Sequence, residues 1–469
     1  MATQNLVKKA IKAHKNQLFS VAETIYWDIL SNEPERPDIL QLLAALFLET
    51  NRPLDALKLI DDDISSKLKI SNFYSIRGNA FHKLERFGEA AQSHRDAIAL
   101  SPSDSINFFN LGNALRMLGD EDAAIEAYNS AIKFDPSLPQ PHSNLSAIFS
   151  ELGLFKKAEA SAKKAIENAP HYADAYYNLG NALREQGHYI EATKAYHNVL
   201  KLVPNYVDAI CNLGLTQFTF SIAEAANILQ TAITINKEHS LARFYLGVAL
   251  DELGRSDEAI MTFAGLNKKN PIDQSKLKSW EYIKKNRTEK TKMLPNSHET
   301  LKFALDQAPL TGLICEFGVR HGESLRFISE LTNNTVHGFD SFEGLPEDWG
   351  NETRGTYSTN GKLPVVPSNV MLHVGNFNDT LPAFCNNFGG GLAFANIDCD
   401  LYSSTQTILI SLAPKITSGT IIVFDDYLIN PSWENDEHRA FKEVAQIFNW
   451  KTEYIGFCIV GKQAVVKIH

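Results

Sequence analysis

Pro102, Pro136, Pro170 and Pro204 stand 34 residues apart, and this spacing constrains the first half of the chain more than any other feature. Gly78, Gly112, Gly180 and Gly214 fall on the same lattice, with Gly247 one residue short. Ala90, Ala124, Ala158 and Ala192 keep the phase, and Tyr128, Tyr196 and Phe263 fill a large apolar slot. A fixed period of this length means one small unit repeated, each copy unable to bury its apolar face alone. Small residues at fixed points let two helices approach closely, and a proline ends the helix it follows because it has no N–H to continue it. Each period therefore predicts two antiparallel helices, stacked into an all-α solenoid of about eight units from residue 3 to roughly 272. The first two units are irregular, as a capping end is, and the seventh is a residue short near "TQFTFSIAEA".

The lattice resembles the tetratricopeptide repeat, with "NLGNAL" at 110 to 115 and again at 178 to 183. Asn110, Asn144, Asn178 and Asn212 recur 34 apart at the sixth position of helix A. A carboxamide supplies both a donor and an acceptor, so a ladder of them can hydrogen-bond the backbone of an extended peptide. The arrangement is similar to the asparagine ladder of peptide-binding tetratricopeptide superhelices, and implies a protein or peptide in the groove. The bland alternative is that asparagine simply faces water there. This half holds no catalytic constellation; it binds or scaffolds.

A formal charge of −10 without a basic stripe argues against a nucleic-acid partner. No run approaches the ~18 to 20 apolar residues of a membrane span. The five cysteines lack CxxC spacing, so neither a disulfide framework nor a zinc site is indicated. The N-terminal stretch reads as an amphipathic helix rather than a signal peptide, and a cytoplasmic location is expected.

The period breaks at residue 273, and 273–299 reads as a capping helix and linker after a 1–272 solenoid. From 300 to 469 apolar strands alternate with helical stretches, the pattern of a parallel α/β sheet. Strands are expected at 312–318, 335–340, 370–375, 393–398 and 420–426, with an antiparallel hairpin in "EYIGFCIVGKQAVVKI". Five parallel strands plus a closing hairpin resembles the Rossmann-like layout of class I methyltransferases.

"EFGVRHGES" follows the first of these strands and opens a helix. Gly318 permits the tight turn, Gly322 lets a ligand approach the backbone, and the helix N-terminus offers free N–H groups. Glu316 disfavours a phosphate there and suits the ammonium of an amino-acid moiety. Asp340 ends the second strand, ~20 residues on, where an acid can take both hydroxyls of a ribose. An adenosine-type cofactor without a pyrophosphate is expected, and S-adenosylmethionine fits better than NAD.

Asp398 and Asp400 end the fourth strand, and Asp425 and Asp426 end the fifth. Ligands collect at the carboxyl ends of strands in an open parallel sheet, so Asp398, Asp425 and Asp426 should converge, with Asp400 close behind. Carboxylates so close raise one another's pKa unless a cation neutralises them, and oxygen-only donors point to Mg²⁺, or Mn²⁺ or Ca²⁺. Such an ion can bind a substrate hydroxyl and lower its pKa. Helix capping would explain one of these acids on its own, but two pairs are harder to explain that way.

"ICEFGVRHGES", "VHGFDSFEGLPEDW", "GNFNDTLP", "NIDCDLYSST" and "IIVFDDY", taken in order, resemble the macrocin O-methyltransferase family over about 312 to 448. The resemblance implies a metal-dependent enzyme that uses S-adenosylmethionine to methylate a sugar hydroxyl. It implies cofactor contacts from Glu316, Gly318, Gly322, Ser324 and Asp340, and from Asn376 at the adenine. It implies metal ligation by the strand-four aspartate with Asp425 and Asp426. Asp398 and Asp400 both qualify as that aspartate; strand-end geometry favours Asp398 for metal, leaving Asp400 as candidate base. Arg320 and Glu323 depart from the family's loop, and the family's N-terminal lid is replaced here by linker and solenoid, so the acceptor is not carried over. The competing expectation is an interaction scaffold whose methyltransferase-like domain is inactive.

Overall fold

The computed structural model describes residues 2–469. They form two compact units, the residues up to Glu151 with Lys156–Leu179, and Leu152–Phe155 with Gly180–His469. Among the described residues no helix is long and apolar enough to cross a membrane.

The first unit is built of paired helices, for example Ser71–Lys83 with Phe87–Leu100 and Ser105–Met117 with Glu121–Phe134. Asp104 and Asp120 start two of these helices by accepting hydrogen bonds from main-chain N–H groups of the first turn. Pro102 and Pro136 lie in the turns just past helix ends. Glycine is required where the paired helices meet, since a Cβ on Gly112 would sit 2.6 Å from the Tyr128 ring. Ala90, Ala124 and Ala131 are fully buried between helices, as their phase predicted. The irregular second repeat has two short helices, Pro53–Leu59 and Asp62–Leu68.

The second unit joins the later repeats to the α/β portion. Its helices Tyr189–Leu202, Val207–Gln217, Ile222–Ile235, Ser240–Glu252 and Ser256–Ala264 precede a longer one, Pro271–Asn286. One apolar cluster runs from Ile210, Phe244 and Leu250 of the repeats through Trp280 and Ile283 to Phe317, Phe424 and Tyr454 of the sheet region. Polar contacts reinforce it: the Trp280 indole N–H donates to Asp251 Oδ2 at 2.9 Å, and the Tyr245 hydroxyl to the Ile459 carbonyl at 3.4 Å. The packing boundary thus falls inside the repeat array near residue 180, not where the 34-residue period ends.

Eight strands form one sheet: β1 (Lys292–Met293), β2 (Leu313–Phe317), β3 (Val336–Asp340), β4 (Val370–Val374), β5 (Leu392–Ile397), β6 (Ile416–Phe424), β7 (Thr452–Cys458) and β8 (Gln463–Ile468). Their order is β1-β7-β8-β6-β5-β2-β3-β4. β4, β3, β2, β5 and β6 pair in parallel, and β8 runs antiparallel between β6 and β7. β2 and β5 are buried along their whole length, which is why they read as continuous apolar runs rather than alternating ones. The five expected parallel strands and the closing hairpin are all present. β1 is an addition: two residues of the expected linker pair in parallel with β7, and Thr291 donates to the Tyr454 carbonyl beside them.

Candidate active site

Main-chain hydrogen bonds carry the sheet's register past its carboxyl edge. Asp398 N–H donates to the Phe317 carbonyl and Asp425 N–H to the Ile397 carbonyl, both at 2.9 Å. The ends of β2, β5 and β6 are thereby held side by side, and the acids that terminate them share one neighbourhood.

At the end of β2 the chain turns at Gly318, φ +94°, where an added Cβ would overlap the main-chain oxygen of Asp398. Only a residue without a side chain allows this approach. Gly322, φ +73°, then opens the helix Glu323–Glu330. Asp340, at the end of β3, accepts from Arg320 N–H at 2.6 Å through Oδ2 and from Phe342 N–H at 2.7 Å through Oδ1. The carboxylate expected at the ribose therefore also ties down the glycine turn. Asn376 begins the helix Phe377–Asn387 after β4 and is exposed.

Glu316 lies beneath the turn with no exposed surface. Asn396 donates to its Oε1 at 2.9 Å, while Oε2 is buried without a hydrogen-bond partner. Burial pushes the Glu316 pKa up to about 7, against the opposing influence of Ser324 and Asn396. An unpartnered buried carboxylate oxygen is an unmet demand for a donor, and an ammonium group meets it. The site fits the amino-acid end of S-adenosylmethionine on that ground.

Asp398, Asp400, Asp425 and Asp426 are each half-buried. Burial raises Asp398 well above the usual carboxylate range, and Asp425, Asp400, Asp426 and Glu316 raise it further. Burial and then Asp426 raise both Asp400 and Asp425. Asp426 is the exception. Although burial opposes ionisation, Lys462 and a hydrogen bond with Asp400 hold it below the usual range. Lys462 Nζ stands 3.0 Å from Asp426 Oδ1, and Gln463 Nε2 donates to Asp425 Oδ1 at 2.5 Å. Asp400, φ +61°, is hydrogen-bonded to Asp426 and is the member of that pair whose proton affinity is raised.

The expected ligands Asp398, Asp425 and Asp426 are thus brought to neighbouring strand ends but not into a metal-holding group. Among the described residues no three His, Cys, Asp or Glu side chains gather closely enough to hold an ion. The physical reason is that Lys462 and Gln463 already engage one oxygen each of Asp426 and Asp425. The donor set is hard-oxygen in character, as Mg²⁺, Mn²⁺ or Ca²⁺ require.

Three participants escaped the sequence reading. Glu437 has no exposed surface, accepts from Cys399 N–H at 3.3 Å between the two aspartates, and leaves Oε2 unpartnered. Lys462 and Gln463 belong to the hairpin between β7 and β8, which reads only as a turn. The Arg320 guanidinium lies 5.0 Å above the Tyr357 ring, and the ionisation of that phenol is opposed by burial and by Asp400. His438 is packed against Tyr282, Tyr427 and Trp433, and burial lowers its pKa to about 4, a core role rather than a base.

The four ladder asparagines are half-buried, and three of them are bonded within the solenoid. Asn144 donates to Asn113 and Tyr128, Asn178 to the carbonyl and hydroxyl of Ser143, and Asn212 to Asn181. Asn110 lines a cavity of the first unit.

Residues 315–427 match a methyltransferase-domain family, and 112–153, 173–206 and 221–267 match tetratricopeptide-repeat families. Demethyldecarbamoylnovobiocin O-methyltransferase of Streptomyces niveus is 31% identical over 137 residues, covering 25% of this chain and 51% of the relative. The 8-demethyl-8-(2,3-dimethoxy-alpha-L-rhamnosyl)-tetracenomycin-C 4'-O-methyltransferase of Streptomyces olivaceus is 32% identical over 145 residues, covering 25% and 54%. The chain spans about half the length of these curated relatives. Among solved structures, the anaphase-promoting-complex hetero-tetramer Cut9–Hcn1 is similar at 17% identity and a TM-score of 0.44, over 58% of this chain and 55% of that one. The methyltransferase family implies S-adenosylmethionine as methyl donor. The chain fuses tetratricopeptide repeats to a C-terminal methyltransferase domain with O-methyltransferase relatives.

Proposed function

We propose that the protein is an S-adenosylmethionine-dependent O-methyltransferase acting on a sugar or other hydroxyl, and that its solenoid recruits a protein or peptide partner or the carrier of the acceptor. The observation that carries it is the buried, unpartnered Oε2 of Glu316 under the Gly318 turn, beside an acid cluster at adjacent strand ends. Glu316 anchors the cofactor's ammonium, the Gly318–Gly322 turn leaves room for its backbone approach, and Asp340 faces the ribose. S-adenosylmethionine, when bound, supplies an electrophilic methyl group. Asp400, in its ionised form, is the candidate base for the acceptor's hydroxyl proton, and its raised proton affinity favours taking that proton. Glu437 holds the Asp398–Asp400 turn through Cys399 N–H. Both relatives are named as O-methyltransferases, one of them with a rhamnosyl group in its substrate's name, which supports a sugar hydroxyl as the acceptor class. A divalent ion forms the finer part of the proposal: Asp398, Asp425 and Asp426 would hold it, and when bound it would lower the hydroxyl's pKa.

One observation favours the second reading, a scaffold with an inactive domain. Lys462 already pairs with Asp426 where an ion would sit. Methyl transfer from labelled S-adenosylmethionine to a panel of simple glycosides separates the two. With Mg²⁺ the wild-type chain is expected to methylate at least one, and Asp400→Asn to lose about 10²- to 10⁴-fold in rate at unchanged cofactor affinity. Chelation with EDTA is expected to cut the rate as well. Cofactor binding without transfer to any acceptor, indifferent to Mg²⁺, would point to the scaffold.

A further inference from the structure

The loop that follows Asp425 and Asp426 is strained, and the strain is held from outside the sheet. Ile429 has φ +74°, and around it the Asn430 N–H donates to the Leu428 carbonyl at 2.9 Å. A positive φ closed by a bond two residues back is the rarer, strained form of the γ-turn. Among the described residues Ile429 is the one β-branched side chain at positive φ, where its Cβ crowds the main chain. Such a conformation persists only where the surroundings over-determine it.

Two serines of the helix Pro271–Asn286 supply that constraint. Ser279 Oγ accepts from the Ile429 N–H at 2.8 Å, and Ser275 Oγ donates to the Ile429 carbonyl. The two stand one helical turn apart on the same face and are 3% and 0% exposed for Ser275 and Ser279. The Ser279 hydroxyl itself donates to the Ser275 carbonyl at 2.8 Å, so its own proton is also placed. Tyr282, a further turn along that face, meets the rings of Tyr427 and Trp433 edge-on, with centroids 6.4 and 5.3 Å away. Both main-chain polar groups of Ile429 are thus served by a helix that Trp280 and Arg287 fasten to Asp251 and Glu252 of the repeats.

Beyond the turn, Lys462 Nζ donates to Asn430 Oδ1 at 3.4 Å as well as to Asp426 Oδ1 at 3.0 Å. The Ile429 turn therefore sets where Asn430 stands, and with it the lysine that holds Asp426. At the end of β5, Asp400 centres a second turn of the same kind, with the Leu401 N–H donating to the Cys399 carbonyl at 2.6 Å. Strained turns on both strands flank the hydrogen bond between Asp400 and Asp426.

We propose that Ser275 and Ser279 are positioning residues of the transfer site, which fix the loop carrying Asp425 and Asp426 by clamping Ile429 in its strained turn. The helix that ends the repeat array thereby sets the geometry of the acids, apart from any recruiting by the solenoid. The effect on rate rests on the O-methyltransferase reading; the clamp is measured without it.

The full-length Ser275→Ala/Ser279→Ala chain tests this, with Ser279→Ala alone in its place should the pair not fold. Hydrogen exchange of the 425–431 segment is expected to quicken about tenfold or more, while that of β3 stays as in wild type. Toward the glycoside that the wild-type chain methylates, kcat is expected to fall about 10- to 100-fold at unchanged S-adenosylmethionine affinity. Adding Ile429→Gly separates positioning from stability. Glycine takes a positive φ without penalty, so kcat is expected to recover at least about threefold. The melting temperature is expected to fall further, because Ile429 packs against the apolar core. Unchanged exchange in the serine variant would overturn the clamp. Quickened exchange with undiminished kcat, or a triple variant both slower and less stable than the double, would overturn the positioning role. No transfer by the wild-type chain to any acceptor would remove the reaction and the positioning role with it, and the exchange result would still decide the clamp.

Discussion

A fragment starting at residue 291 is expected to aggregate or to unfold without a cooperative transition, whereas one starting at Ala173 folds. The cut at 291 removes Trp280 and Ile283, which join the apolar cluster of the later repeats to that of the sheet. It also removes Tyr282, whose hydroxyl stands 2.6 Å from that of Tyr454. A single substitution in the full chain tests the same joint. Trp280 is 2% exposed, hydrogen-bonded to Asp251, and capped by the Arg287 guanidinium 5.4 Å from its ring. Trp280→Ala is expected to lower stability by about 3–5 kcal/mol, read as a fall in the urea midpoint of the second unit. Trp27→Ala, at a position 47% exposed in the first unit, should lower stability by less than about 1 kcal/mol. Equal effects of the two substitutions would mean that the repeats and the α/β portion do not share a core.

Gly318→Ala is expected to abolish cofactor binding and to destabilise the second unit by on the order of 4 kcal/mol. Two penalties combine. The residue has φ +94°, a region that L side chains rarely adopt, and the new methyl would overlap the main-chain oxygen of Asp398. Gly390 separates them, since its φ is +90° but nothing lies within 4 Å of an added Cβ. Gly390→Ala thus carries only the backbone penalty, roughly 1 kcal/mol. Differential scanning calorimetry on both variants, with an S-adenosylmethionine titration of each, measures the difference. Matching losses would show that the approach of β5 to the glycine turn is not what the site depends on.

Much of this fold was legible because its signals are local. The 34-residue lattice exists because small residues must face large ones at each helix pair, so Gly112 and Tyr128 announce each other in the sequence. The buried parallel strands show as unbroken apolar runs, and their terminal acids mark the sheet's carboxyl edge. Long-range features were not legible. Glu437 looks like an ordinary first-turn acid of a helix, and only the return of that helix to β5 brings it to Cys399 N–H. Lys462 looks like a turn residue, and its ion pair with Asp426 needs the antiparallel pairing of β8 with β6. Two residues of strand, Lys292 and Met293, are too short a run to stand out from a polar linker.

Titration of S-adenosylmethionine into the full chain, alongside Glu316→Gln, probes the buried carboxylate under the glycine turn most directly. One molecule is expected to bind per wild-type chain, and the variant, which keeps the shape but not the charge, should bind about 10- to 100-fold more weakly. No heat of binding up to about 1 mM by the folded wild type, or equal affinity in the variant, would contradict a cofactor ammonium at Glu316.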